Sequence, residues 1–200
     1  MDTIENDVYI AYQVDNGTCI AMDEFSISQI SSGFQINSNN TVFGINGFQQ
    51  KASLKTDFQW QMHELNIFVD SMNIEMNAIV KEGKAYVKQN KQNTVGFEKI
   101  IDLKNDKFFF QYNGALVIPM IWLRGFDFDN YKKVTYQMLP MGYAEVKQLP
   151  NTATCQEFRD LSLLMYVQNF TDIIKIRTDM SGKLLSLQSE TNQLLIKLQT

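Results

Sequence analysis

The sequence predicts a mainly β fold (α+β minor). The expected form is an antiparallel curved sheet or half-barrel meander, with one or two short helices packed on the concave side. Three observations carry this expectation. Apolar residues recur with a period of two along most of the chain, and turn-forming residues return about every ten positions. The positions between the apolar ones are held largely by Asn, Gln, Ser, Thr and Lys. Alternation of this kind marks strands with one buried face, and such a sheet must cover or curl around its apolar side.

The elements follow in order. Val8 to Val14 and Ile20 to Ile30 are separated by "DNGT", and Asn16-Gly17 is a strong hairpin signal. Phe58, Trp60 and Met62 share one parity while Leu65, Ile67 and Val69 share the other. This places a bulge at His63-Glu64, where a long strand would bend. Met72, Ile74, Met76, Ala78 and Val80 alternate with polar residues, and "KEGK" turns the chain into a strand from Ala85 to Lys88. Val95, Phe97 and Ile101 continue the pattern, and "KND" at 104–106 turns it toward Phe108, Phe110 and Tyr112. Val134, Tyr136 and Met138 alternate again. Near the C-terminus, Ile174 and Ile176, then Leu185 and Leu187, then Leu194, Ile196 and Leu198 predict three strands, joined by "DMSG" and "SETN".

Two places read as helix. Thr154 and Glu157 have the spacing of a capping box, followed by Phe158, Leu161, Leu164 and Met165 at helical intervals. The same segment also reads as a strand through Leu161, Leu163, Met165 and Val167. The second place is "GALVIPMIWLRGF", whose nine apolar residues from Ala115 to Leu123 fall short of the roughly 20 a membrane-crossing helix needs. Pro119 suits a first helical turn and Gly125 its end, so a short plug from Pro119 to Arg124 is expected on the open side of the sheet.

A chain of 200 residues is read as one β-rich half-barrel domain over 1–200. A net charge of −4 lacks the basic stripe that a nucleic-acid partner would want, and the Lys residues between Lys81 and Lys107 are interspersed with acids as on a solvated face. Cys19 and Cys155 match no metal or redox spacing, which leaves two small buried residues or one disulfide. His63 is the single histidine, so no His-based metal centre is expected. Asp23-Glu24 and the Asp127, Asp129 pair are the carboxylates nearest to acid–base chemistry, and the pair in "GFDFDNY" reads as a solvent-facing turn. No phosphate loop or nucleophile motif is present. Neither a catalytic residue nor a cofactor nor a metal is therefore expected.

The order of a strand meander, the apolar "IPMIWLRGF", and the returning strands "YKKVTYQML", "YAEVKQL" and "DIIKIRTDMSGKLLSLQS" resembles the lipoprotein-localisation-factor superfamily, in its uncharacterised bacterial branch. The likeness runs from about Ile67 to the C-terminus. It implies an antiparallel half-barrel wrapped over helices, export, and an acyl chain carried in the hollow. The long pair of covering helices usual in such carriers is not visible in this sequence. The resemblance favours a periplasmic or extracellular mature chain, and a cytoplasmic one if Met1 is the native start.

The composition itself favours a binder over an enzyme. Ten Met, together with abundant Phe and Tyr, furnish adaptable apolar surface. The expected lining is Trp60, Met62, Met72, Met76, Met120, Trp122 and Phe126, facing a lipid or acyl chain. One alternative is a structural or protein-interaction domain with a filled core, meeting its partner through a sheet edge. A second is an enzyme using scattered carboxylates.

Overall fold

The computed structural model describes residues 2–91, 94–103, 108–111, 121, 124, 134–140, 149–157, 163–168, 173–179, 181, 183–189 and 194–199. Fifteen strands run through them: β1 (Thr3–Gln13), β2 (Cys19–Ile30), β3 (Gly33–Val42), β4 (Phe48–Thr56), β5 (Met62–Val69), β6 (Ile74–Lys81), β7 (Lys84–Lys91) and β8 (Thr94–Asp102). After these come β9 (Phe108–Gln111), β10 (Val134–Pro140), β11 (Leu149–Glu157), β12 (Leu163–Gln168), β13 (Ile173–Thr178), β14 (Leu184–Ser189) and β15 (Leu194–Leu198). All belong to one sheet, ordered β8-β7-β6-β5-β4-β3-β2-β1-β15-β14-β13-β12-β11-β10-β9. The first and last strands of the chain therefore meet in the middle of the sheet. Among the described residues its two ends, β8 and β9, share no ladder, and β9 lies against β5 instead. The molecule is a curled sheet with an unclosed seam.

Local chemistry sets the turns. Between β1 and β2, Gly17 has φ 68° and Thr18 N–H donates to Asn16 Oδ1 at 2.9 Å. Between β6 and β7 only Glu82 and Gly83 intervene, at φ 52° and 70°, the doubly left-handed turn that matches strand twist. Asp179 Oδ1 accepts from the backbone N–H groups of Ser181 and Lys183, each at 2.9 Å, and so closes the turn between β13 and β14. Gly33, at φ 145°, has no alternative: a Cβ there would sit 2.0 Å from the Thr56 carbonyl oxygen.

The register stacks the inward side chains in layers across the sheet. One layer runs Glu5, Ile27, Ile36, Leu54, Leu65, Ala78, and the next runs Asp7, Phe25, Ser38, Ala52, Ile67, Met76. A third runs Tyr9, Asp23, Asn40, Gln50, Val69, Ile74. The apolar members of these layers are buried and form the core with Leu184, Leu187, Ile196 and Ile121. Burial of this apolar surface, at roughly 25 cal/mol per Å², is what holds the curl.

The expected architecture is correct in kind and differs in particulars. Thr154 to Glu157 lies in strand β11, so the strand reading of that segment holds and the capping box does not form. Thr152–Glu157 pairs β12 in antiparallel register, which fixes the segment as strand. Phe58 and Trp60 are not in a strand. Asp57 Oδ1 accepts from Gln59 and Gln61 N–H, each at 2.9 Å, and bends the chain before β5 begins at Met62. The expected bulge is present: Thr56 pairs Met62 and Lys55 pairs Glu64, leaving exposed His63 as the extra residue. Met72 belongs to a 3₁₀ turn, Asp70–Met72, because Asn73 follows it at φ 47° and breaks the alternation. Strands β9 and β10 pair in parallel, an exception within the expected antiparallel meander. Cys19 is exposed with a free thiol, neither bridged nor buried. "KND" at 104–106 lies outside the described residues.

Candidate functional site

Two groups of polar side chains stand out among those that interrupt the described apolar interior. The first is at the rim where β1 begins. Inward parity puts Glu5 and Asp7 beside each other on β1, and the chain brings two cations to them from far away. Arg124 Nη2 donates to Glu5 Oε2. Lys183 Nζ donates to Asp7 Oδ2 at 2.5 Å and lies 3.6 Å from Glu5 Oε1. Two carboxylates and two cations balance, as groups withdrawn from water must. Burial works against the Lys183 ammonium, yet its hydrogen bond to Asp7 and the charge of Glu5 outweigh it and raise its pKa. Tyr9 stacks on Phe25 at 5.1 Å, and its hydroxyl donates to the Leu184 carbonyl at 3.1 Å. Burial, reinforced by the Glu5 carboxylate, pushes the Tyr9 hydroxyl well above its ordinary range.

Arg124 also ties this rim to the Asp57 turn. Its guanidinium lies 4.9 Å from the centre of the Trp60 ring, and Trp60 stacks on Phe34 at 4.1 Å. Trp60 holds φ 64°, a strained conformation for a bulky residue. Its N–H donates to the Asp57 carbonyl at 3.1 Å, so the turn fixes the ring in place. Ile121 and Arg124 are both helical, with Ile121 fully buried in the core and Arg124 on the rim. They are the described part of the expected Pro119–Arg124 plug.

The second feature lies on β2, β3 and β4, with Ser38 in the layer of Asp7 and Asp23, Asn40 and Gln50 in the layer of Tyr9. Asp23 is 0% exposed, and Ser38 Oγ donates to its Oδ1 at 2.5 Å. Asn40, directly opposite Asp23, is 1% exposed, and neither its amide nitrogen nor its carbonyl oxygen meets a hydrogen-bond partner in the protein. Gln50, opposite Asn40, is buried as well.

Of the residues expected to line a ligand, Met62 and Met76 are inward and buried, and Trp60 is half-buried at the rim. Met72, in the 3₁₀ turn, is 38% exposed. Met120, Trp122 and Phe126 lie outside the described residues, as do Asp127 and Asp129. Asp23 and Glu24 do not form a carboxylate pair, since neighbours on a strand face opposite ways, one buried and one exposed. Reading the sequence missed Glu5, Asp7, Lys183, Ser38, Asn40 and Gln50. For Ser38 and Asn40 the signal was there: they keep the parity of Phe34, Ile36 and Val42. Among the described residues no group of three or more His, Cys, Asp or Glu is placed to hold a metal ion.

No protein-family model matches the sequence. No curated protein matches it either. The fold is similar to the beta-barrel-like protein of domain of unknown function DUF1849 from Brucella abortus, with TM-score 0.60 and 13% identity over 97% of this chain and 94% of that one. It is also similar to a DUF1089 family protein from Pseudomonas aeruginosa, with TM-score 0.55 and 9% identity over 82% of this chain and 87% of that one. At these identities the likeness is one of fold alone.

Proposed function

We propose that the protein is a non-enzymatic, exported binder or carrier of an apolar ligand, an acyl chain or lipid, held in the hollow of the curled sheet. The observation that supports this reading most is the unclosed seam. Separating any two neighbouring strands breaks a hydrogen-bonded ladder, whereas parting β8 from β9 breaks none between them. Among the described residues the wall can therefore part between β8 and β9 at little cost in backbone bonding, which supports entry of a ligand there. Arg124 closes the rim through an ion pair with Glu5 and a cation–π contact with Trp60, contacts that can be exchanged for others without unfolding the wall. The resemblance to the lipoprotein-localisation-factor superfamily belongs to the same reading.

The test uses Trp60, whose ring touches both Phe34 and Arg124. In a Trp122→Phe background, delipidated protein is titrated with fatty acids and fatty alcohols of several chain lengths. Entry of a chain shifts Trp60 emission and raises the melting temperature, by the equivalent of about 2.7 kcal/mol at a hundredfold excess over Kd. Unchanged emission and unchanged melting for every chain length would overturn the reading.

One observation favours a second reading, the protein-interaction domain. Ile79, Tyr86 and Ile100 are directly paired across β6, β7 and β8 on the outward face, all exposed, with Ile100 at 63%. The ion pair Lys88–Glu98, at 2.9 Å, flanks this apolar row as polar rims flank interface centres.

A further inference from the structure

We propose that the β1–β2, β3–β4 and β5–β6 turns form a docking end that seats the molecule on a zwitterionic lipid surface, with Ile45 and Phe43 inserted and Val14 and Met72 at their flanks. The proposal rests on exposed residues and not on what the interior holds, so it goes beyond the carrier reading and stands or falls apart from it.

The topology assembles this end. Each strand from β1 to β6 pairs antiparallel with the next, which puts residues 14–18, 43–47 and 70–73 at the same end of the sheet. Neighbouring strands lie about 4.8 Å apart, so these turns stand in a row at intervals of about 10 Å. Each bears exposed apolar surface: Val14 in the first, Phe43 and Ile45 in the second, Met72 in the third. Ile45 is fully exposed. A turn has no need of such residues, since Gly, Asn, Asp and Ser make the chain reverse.

The β3–β4 turn holds its apolar tip in a fixed position. Phe43 N–H donates to the Ile20 carbonyl at 2.9 Å and ties the turn to β2, and Gly47 N–H donates to the Gly44 carbonyl at 3.0 Å. A Cβ on Gly47 would lie 2.7 Å from the Val42 carbonyl oxygen, so the tight closure that projects Ile45 depends on glycine there.

Charge and shape select the occupant. The three turns contain no Lys or Arg, and their charged residues are Asp15 and Asp70. Behind them on the outer face, Lys51 and Glu75 stand on either side of Phe68 and balance. The opposite end of the sheet carries the ion pairs Lys55–Glu64, Lys81–Glu82 and Arg124–Glu5. One end is thus charged and the other is a row of apolar tips. A protein partner would need a matched pocket for each separate, convex tip. A bilayer accepts them without shape complementarity, while the exposed Asn16, Asn46 and Asn73 stay among the head groups. Anionic lipids attract basic segments, and these turns offer only acids, so a surface of no net charge fits.

Flotation of the full chain with phosphatidylcholine vesicles, and with vesicles containing phosphatidylglycerol, at low and high salt, tests the proposal. The native protein is expected to float with phosphatidylcholine, with no gain from the anionic lipid and no loss in high salt. Ile45→Ser is expected to weaken partitioning roughly tenfold or more at an unchanged melting temperature, and the Phe43→Ser, Ile45→Ser double variant further. Ile4→Ser, which removes an exposed apolar residue at the opposite end, should partition like the native chain. A native protein that does not float overturns the proposal, and an oligomer dispersed by Ile45→Ser would then assign the tips to a second copy of the chain. Equal partitioning of the native and double-variant proteins overturns it too. So does binding that requires phosphatidylglycerol and disappears in salt.

Discussion

Tyr9 shows how far one side chain can report on the interior. Its hydroxyl is buried and bonded to the Leu184 carbonyl, and burial followed by the nearby Glu5 carboxylate holds it protonated above its ordinary value of 10.0. A folded-state pKa above the unfolded one gives stability that is complete below pH 10 and is lost as pH rises beyond it. Lys183, raised from 10.5 chiefly by Asp7 and Glu5 against the opposing effect of burial, acts in the same direction. Tyr9→Phe is expected to lose about 1 kcal/mol at neutral pH, the value of one hydrogen bond. Above pH 10 its stability should fall less steeply than that of the native chain, by about 1.4 kcal/mol per pH unit. Urea midpoints at pH 7, 9.5 and 11 measure both effects, and parallel decline of the two proteins would show that the Tyr9 hydroxyl is free to ionise in the fold. None of this was legible beforehand. Tyr9 lies between the apolar residues Val8 and Ile10, both faces of β1 carry apolar side chains, and only the register with Asp23 and Leu198 decides which face is inside.

At the scale of elements, turn chemistry explains what the sequence revealed and what it hid. The β1–β2 and β6–β7 hairpins were readable because Asn16-Gly17 and Glu82-Gly83 encode their own backbone conformation within two residues. Phe58 and Trp60 misled because they keep the parity of a strand while Asp57, a single side chain, bends the chain under them. The parallel pairing of β9 with β10 has no local signal, since the partners are separated by a long stretch of chain. The rim cluster is similar: Arg124 reaches Glu5, and Lys183 reaches Asp7, across most of the sequence. Glu82 supplies a test of the turn argument. It holds a left-handed conformation that a residue with a long side chain adopts only at a cost, and its ion pair with Lys81, 3.9 Å long and largely exposed, offsets little of this. Glu82→Asn is expected to stabilise the protein by about 0.5–1 kcal/mol, seen as a higher urea midpoint at unchanged slope. A lower midpoint would mean that the turn is held by Glu82 side-chain contacts and not by its backbone.

The whole molecule is shaped by where its ends meet. Strands β1 to β8 form a meander in which every strand pairs with its neighbour in sequence, and β10 to β15 repeat this pattern. The two runs are joined in the middle by β1 and β15, the pairing of greatest sequence separation. Period-two patterning announced both meanders, because each hairpin is local. It could not announce the join, which brings together the two most distant parts of the chain. Closing so long a loop costs entropy before any contact rewards it, so the join should form after the hairpins. Ile36 and Ile196 probe the two events. Ile36 is buried between β2 and β4, and Ile196 is buried between β1 and β14, opposite Ala11 and Leu187. Replacing either by Val removes one methylene and is expected to cost about 1 kcal/mol, above the roughly 0.6 kcal/mol at which kinetic ratios become reliable. Ile36→Val should then slow folding, with its loss already present in the transition state, while Ile196→Val should leave the folding rate nearly unchanged and speed unfolding. Stopped-flow folding and unfolding in urea separates the two. If Ile196→Val slows folding as much as Ile36→Val does, the β1–β15 join belongs to the nucleus, and the sheet is built outward from its middle.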